Sequence, residues 1–251
     1  MSGHSKWATI KRKKGAVDAK KGQVFTKLVR EITTSARMGG GDPNGNPRLR
    51  AAIAEAKANR MPADNIDRAI KKGTGDLDGP PVEEISYEGY APGGVAVFIE
   101  VQTDNRNRSI SEVRSTFTKG GGTLGAAGSV AWMFHKKGHI TFDAKRYTEE
   151  QLMDVALDAG AEDVTRDGDT FIVVTDLKSF GAVLDQLDKK AMTYESAALT
   201  MVPETYVKVS GESAEKMMRF LERLEELDDV QKAYANFDID DSELERIASA
   251  S

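Results

Sequence analysis

The hydrophobic pattern of this chain changes period once, at a Gly/Pro-rich break, and that change limits the fold more than any other feature. Before residue 74, apolar residues recur at i, i+3, i+4 spacing. After residue 82 they fall in short β-branched and aromatic runs separated by further helical stripes. One uniform layer cannot satisfy both patterns, so the sequence predicts a helical unit followed by mixed α+β structure. The break itself, Thr74-Gly-Asp-Leu-Asp-Gly-Pro-Pro81, has the composition of a linker.

Three helices are expected before the break. Over 23–38, Phe25, Leu28, Val29, Ile32 and Ala36 form one apolar stripe, and Gly39-Gly40-Gly41 ends it. Asn46 followed by Pro47 is a paired start signal, an N-cap and a first helical residue. The second helix then carries Leu49, Ala52, Ile53 and Ala56 on its apolar face. Met61-Pro62 interrupts the pattern, and the third helix, over 63–72, buries Ile66, Ala69 and Ile70 before Gly73. Such stripes are satisfied only against one another, so a small bundle over 23–75 is predicted.

Beyond residue 82 the expected order is a strand at 94–103, a helix at 106–119 and strands at 129–134 and 138–142. A helix at 149–159, strands at 163–165 and 171–175, a helix at 178–187 and a strand at 196–202 follow. The remainder is a strand at 206–209, a helix at 213–227 and a strand at 230–236. The middle run is β-α-β-β-α-β, the ferredoxin-like order, and the elements around it make a second such set. The fold class is therefore α+β and multidomain: an N-terminal three-helix bundle plus two ferredoxin-like α+β domains, one inserted in the other. The boundaries are a basic flexible arm at 1–22, the bundle at 23–75, a split domain at 82–134 and 204–238, an inserted domain at 135–203, and a frayed acidic tail at 239–251. Tyr87-Glu-Gly-Tyr90 with Pro92-Gly-Gly94 reads as a surface loop.

Charge divides along the same line. Residues 1–75 hold 17 Lys and Arg against 6 Asp and Glu, a net of +11; residues 76–251 hold 18 against 34, a net of −16, and the chain totals −5. A basic head attracts polyanions by releasing their counterions, while an acidic body repels them, so nucleic-acid contact is expected at the head. The arm offers Lys6, Trp7, Lys11, Arg12, Lys13, Lys14, Lys20 and Lys21, the tryptophan being able to stack on a base. The bundle adds Arg48, Arg50, Lys57, Arg60, Arg68, Lys71 and Lys72. Arg106 and Arg108 stand at a helix start, where a cation is poorly matched to the macrodipole. They either reach a phosphate or pair with Asp104 or Glu112.

Other chemistries find little support. The chain has no cysteine, which excludes disulfides and thiolate metal sites. His135 and His139 are four apart but have no completing ligands, no P-loop is present, and Ser109 and Ser111 lack a nearby base. The sequence therefore predicts no enzyme, no cofactor, no metal and no small-molecule substrate. Its apolar runs fall far short of the roughly 18–20 residues that span a membrane, and its first residues lack a secretory apolar core, so a cytoplasmic protein is expected. The central strands offer only Phe98 where an RNA-recognition domain needs paired aromatics, which rejects that reading for the body.

A set of spaced motifs carries a resemblance. Gly3-His-Ser-Lys-Trp7, Lys11–Lys14, Lys20-Lys21-Gly22, Met61-Pro62, Gly89-Tyr90-x-Pro92-Gly93-Gly94, Thr103–Arg108, Gly128-Ser-Val-x-Trp-Met-Phe134 and Val230–Asp238 together resemble the YebC/PmpR family. Mitochondrial relatives of that family activate translation of cytochrome c oxidase. The resemblance covers the chain from Gly3 to about Asp238; Ser2 stands where alanine is commoner. It implies a helical domain and two α+β domains with one inserted in the other, a cytoplasmic bacterial origin and a role in gene expression. Members are generally described as DNA-binding transcriptional regulators. Others act on translation at the ribosome, where consecutive prolines slow peptide-bond formation. The implied partners are DNA or ribosomal RNA, with ribosomal proteins as further candidates.

Overall fold

The computed structural model describes residues 21–250, which form eight α-helices and ten strands. In chain order these are α1 (Lys21–Gly39), α2 (Pro47–Ala58), α3 (Ala63–Thr74), β1 (Glu83–Ala91), β2 (Val95–Thr103), α4 (Arg106–Gly120) and β3 (Thr123–Leu124). There follow β4 (Phe134–Asp143), α5 (Glu149–Ala156), β5 (Ala161–Asp167), β6 (Thr170–Thr175), α6 (Phe180–Lys189) and β7 (Ser196–Pro203). The chain ends with β8 (Val207–Lys208), α7 (Gly211–Glu225), β9 (Val230–Ala235), β10 (Phe237–Asp238) and α8 (Asp241–Ala250). They make an α+β multidomain fold that divides into two compact units. One spans Trp132–Thr205; the other comprises the chain on either side of it. No helix is long and apolar enough to cross a membrane among the described residues.

The larger unit begins with the bundle. The α1–α3 core is Leu28, Ile32, Ala36, Leu49, Ala52, Ala56, Met61, Ile66 and Ala69, close to the residues that periodicity selects. Asn46 caps α2 as its sequence predicts, accepting from the Leu49 N–H at 3.1 Å. Its amide also donates to Ser35 O at 2.8 Å and Gly40 O at 2.9 Å, so one buried side chain closes α1 and opens α2. The α1–α3 crossing is tight: a Cβ on Gly73 would lie 2.4 Å from Thr33 O, so no larger residue fits there.

The same unit continues into an antiparallel sheet of order β3-β1-β2-β9. Its Val95, Val97, Ile99 and Val101 pack with Val113 and Phe117 of α4 and with Met217, Phe220 and Leu221 of α7. Strand β8 pairs in parallel with β10 in a separate two-stranded sheet. The smaller unit has sheet order β5-β6-β4-β7, antiparallel throughout, which is the ferredoxin-like arrangement. Ile140, Phe142, Leu152, Val173, Val183 and Leu187 form its core with α5 and α6.

Three expectations need correction. Tyr87–Tyr90 is not a loop but part of β1, paired with β2 from Glu83↔Thr103 to Ala91↔Val95. Gly89 within it serves close approach, since a Cβ there would sit 2.5 Å from the Phe117 ring. Residues 129–134 are not a strand: Ala131–Met133 is a short 3-10 turn and the strand begins at Phe134. The buried Glu88 carboxylate causes this, accepting from the N–H groups of Gly128, Val130 and Ala131 at 2.7 Å each and so claiming the donors that a ladder would need. Finally, the 239–251 segment is no frayed tail over most of its length. It contains α8, whose Leu244 and Ile247 join the core of the sheet.

Candidate nucleic-acid interface

The expected site residues divide into three groups. Lys6, Trp7, Lys11, Arg12, Lys13, Lys14 and Lys20 lie outside the described residues, as does the side chain of Lys21. A second group is neutralised. Arg48, on the first turn of α2, places Nε 2.7 Å from Glu31 of α1 and Nη2 2.5 Å from Glu84 of β1. Gln102 joins this network, donating to Glu31 Oε2 at 2.6 Å and Glu84 Oε1 at 3.1 Å. These bonds push the Arg48 guanidinium up and the Glu84 carboxyl down from their ordinary ranges, so both stay charged across physiological pH. Arg106 pairs with Glu83 at 2.5 Å.

Arg108 reaches further. Its Nη2 lies 2.9 Å from Asp104 and 2.9 Å from Asp229, which is 121 residues away in sequence. Asp229 is 2% exposed and is the hub of a buried cluster. It also accepts from Thr103 Oγ1 at 2.9 Å and Ser109 Oγ at 2.5 Å, and Arg30 of α1 meets it at 2.5 Å. Burial pushes this carboxyl up, but the Ser109 and Arg108 bonds, the Arg30 charge and the Thr103 hydroxyl hold it below the ordinary aspartate value. The misplaced cation at the start of α4 thus answers a carboxylate at the start of β9. The pairing expected with Asp104 is present and that with Glu112 is not among the bonds formed; Glu83 and Asp229 take part instead. No signal near Arg108 in sequence marks Asp229, and Arg30 was hidden inside the apolar periodicity of α1.

The third group remains available. Lys57, Arg60, Arg68 and Lys71 are exposed on α2, the α2–α3 turn and α3, and none meets a carboxylate among the described residues. Arg50 is exposed too, its guanidinium donating among the described residues to Pro43 O at 3.2 Å and Asn44 O at 3.5 Å. Lys72 is half-buried and likewise lacks a carboxylate partner among the described residues. Arg60 has φ of 61°, a left-handed conformation that glycine or asparagine ordinarily fills. Its N–H bonds Lys57 O at 2.9 Å and the Met61 N–H bonds Ala56 O at 3.0 Å, a Schellman closure in which arginine occupies the glycine position. This conformation costs about 1–2 kcal/mol in a residue with a Cβ.

Comparison with known proteins places these features. The "TACO1/YebC protein N-terminal domain" model matches residues 5–76, and the "TACO1/YebC second and third domain" model matches residues 82–237. The chain belongs to the TACO1/YebC family. A relative in Geobacter sulfurreducens, named a probable transcriptional regulatory protein, is 58% identical and aligns over 98% of this chain and 100% of its own length. One of the same description in Syntrophobacter fumaroxidans is 57% identical over 99% of this chain and 100% of that one. A crystal structure of a conserved hypothetical protein from Aquifex aeolicus superposes with a TM-score of 0.79 at 48% identity, covering 89% of this chain and 93% of that one.

Within a TACO1/YebC chain of this sequence, the geometry separates two kinds of cation. Arg30, Arg48, Arg106 and Arg108 fasten elements of the larger unit to one another. Lys57, Arg60, Arg68 and Lys71 fasten nothing in the described structure.

Proposed function

We propose that this chain is a nucleic-acid-binding regulator of gene expression, working in the cytoplasm by binding rather than catalysis. It engages phosphates through the basic arm and the α2–α3 face, and its first reading is that of a DNA-binding transcriptional regulator. The supporting observation is the unpaired set Lys57, Arg60, Arg68 and Lys71, beside an arm that holds Lys6, Lys11, Arg12, Lys13, Lys14, Lys20 and Lys21. Cations left without carboxylates in a chain of net charge −5 are available to an external polyanion. The relatives named probable transcriptional regulatory proteins support the regulatory part of this reading. Arg108 drops out of this contact surface, because leaving its carboxylates would uncover Asp104 and the buried Asp229, and Arg106 drops out because it is already paired with Glu83.

A second reading, a ribosome-associated translation factor contacting ribosomal RNA and easing proline-rich stretches, has its own support. Sequence-specific DNA reading wants several side chains aimed at base edges from one helix. Helix α3 shows only Asn65 and Arg68 for that task. The deciding experiment is sedimentation of cell lysate through a sucrose gradient, with and without nuclease. Co-migration with ribosomal particles, lost on deleting residues 1–22, selects the translation factor. Retention with DNA and absence from ribosomes selects the transcriptional regulator. Behaviour as a free protein under both conditions would remove the nucleic-acid reading altogether.

A further inference from the structure

A cleft of about 280 Å³ opens in the larger unit, lined by Phe25, Val29, Thr33, Lys72, Val82 and Asp104 with Arg30 at its edge. Three features set it apart from an ordinary surface dimple. First, its apolar part includes an aromatic ring: Phe25 packs on the rim of the bundle core and remains half-buried, with Val29 and the buried Val82 beside it. Secondly, Lys72 extends along the linker, close to Gly79, and its ammonium has no carboxylate or carbonyl partner among the described residues. A half-buried cation with unused donors favours an anionic occupant. Thirdly, the two other charged residues of the lining are already held, Arg30 by Asp229 at 2.5 Å and Asp104 by Arg108 at 2.9 Å. The free charge of the cleft is therefore the single positive one of Lys72.

We propose that this cleft holds one unpaired nucleobase of a single-stranded nucleic acid, its ring against Phe25 and its phosphate against Lys72. The inference rests on the nucleic-acid reading above and adds to it a strandedness and a residue, Phe25, that periodicity assigns only to the core. The volume lies just under the roughly 300 Å³ at which pockets for drug-sized ligands begin, which is room enough for one base. A stacked duplex base offers no free ring face, whereas an unstacked base lies flat on an aromatic side chain. Phe25 also stands about 6 Å along the helix axis from Lys21, the first residue of α1.

The test uses the full chain and fluorescence anisotropy with labelled 12-nucleotide RNA, DNA of the same sequence, and the corresponding 12-base-pair duplex. Phe25→Leu keeps an apolar side chain on the bundle and removes the ring face; Lys72→Gln removes the charge. Both variants are checked for wild-type melting first. The expected result is a loss of about 5- to 100-fold on single strands with Phe25→Leu, the range seen when a stacking ring is removed, and no loss on the duplex. Lys72→Gln should weaken single-strand binding and flatten its salt dependence by about 0.7 in log–log slope. Equal losses on RNA and DNA assign the base alone; a loss confined to RNA assigns the ribose as well. If folded Phe25→Leu binds every probe as wild type does, while alanines at Lys11, Arg12, Lys13 and Lys14 abolish binding, the cleft proposal falls and the nucleic-acid reading stands. If the wild-type chain binds none of the probes, both fall.

Discussion

The seam between α1 and the sheet and the outer face of α2–α3 contain the same residue types and use them in opposite ways. At the seam three arginines are matched to carboxylates. Arg30 and Arg108 converge on Asp229, and Arg48 bridges Glu31 and Glu84. On the outer face Lys57, Arg60, Arg68 and Lys71 have no carboxylate among the described residues. Net charge cannot distinguish these two uses, because a paired arginine and an unpaired one count alike. The contrast shows that a basic segment is a binding surface only after the cations that hold the fold together have been removed from the count.

The largest effect that tests this contrast is expected at Asp229. Replacing it with alanine leaves two guanidinium groups and two hydroxyls facing a vacated buried position, which should cost about 3–5 kcal/mol in denaturant unfolding. Arg68→Ala on the outer face should stay within about 0.5 kcal/mol of wild type. If the two cost the same, the distinction between seam and surface is wrong.

Acid should dismantle the molecule in two steps. Burial pushes His139, on β4 of the smaller unit, from 6.5 down to about 4. The native state therefore holds it neutral while the unfolded state takes a proton. Its contribution is complete above pH 6.5 and lost as pH falls towards 4, a gap equivalent to about 3 kcal/mol. Asp229 is held below its ordinary value, so its contribution is present above about pH 4 and is lost only at more acid pH. Thermal scans from pH 7 to 3 should show His139→Gln abolishing the first loss and Asp229→Asn the second. Coincident loss in wild type and His139→Gln would contradict the assignment.

Arg60 offers a subtler separation of stability from binding. Glycine accepts φ of 61° without strain, so Arg60→Gly should raise stability by about 1 kcal/mol while weakening nucleic-acid affinity. A variant that is more stable and binds as well as wild type would remove Arg60 from the interface. The smallest effect is expected from Arg106→Ala. Its pair with Glu83 is 65% and 42% exposed, so stability should fall by less than about 1 kcal/mol and affinity should not change.

Sequence pattern foretold the parts of the fold that local chemistry controls. The Asn46-Pro47 start, the stripe from Leu28 to Ala36, and the β-α-β-β-α-β order of the smaller unit all follow from spacing and capping. The misreadings share one cause, a distant partner. Position 89 of a strand is glycine because Phe117 leaves no room for a Cβ, and residues 128–131 turn because Glu88 binds their N–H groups. Helix α8 is held by a core that its own polar sequence barely advertises, through Leu244 and Ile247. The candidate interface was legible as charge and illegible as geometry. The acids that neutralise Arg48 and Arg108, Glu84 and Asp229, are 36 and 121 residues away from them.

The most direct test of the account is the salt dependence of affinity for a 12-nucleotide single strand, measured on wild type, on Lys57→Ala/Arg60→Ala/Arg68→Ala/Lys71→Ala, and on Arg106→Ala. On a single strand each phosphate contact adds about 0.7 to the log–log slope. The account predicts that the fourfold variant, folded and about as stable as wild type, loses about 2–3 from the slope and that Arg106→Ala loses nothing. An unchanged slope in the fourfold variant, or an equal loss in Arg106→Ala, would contradict the claim that the unpaired cations are the ones that meet nucleic acid.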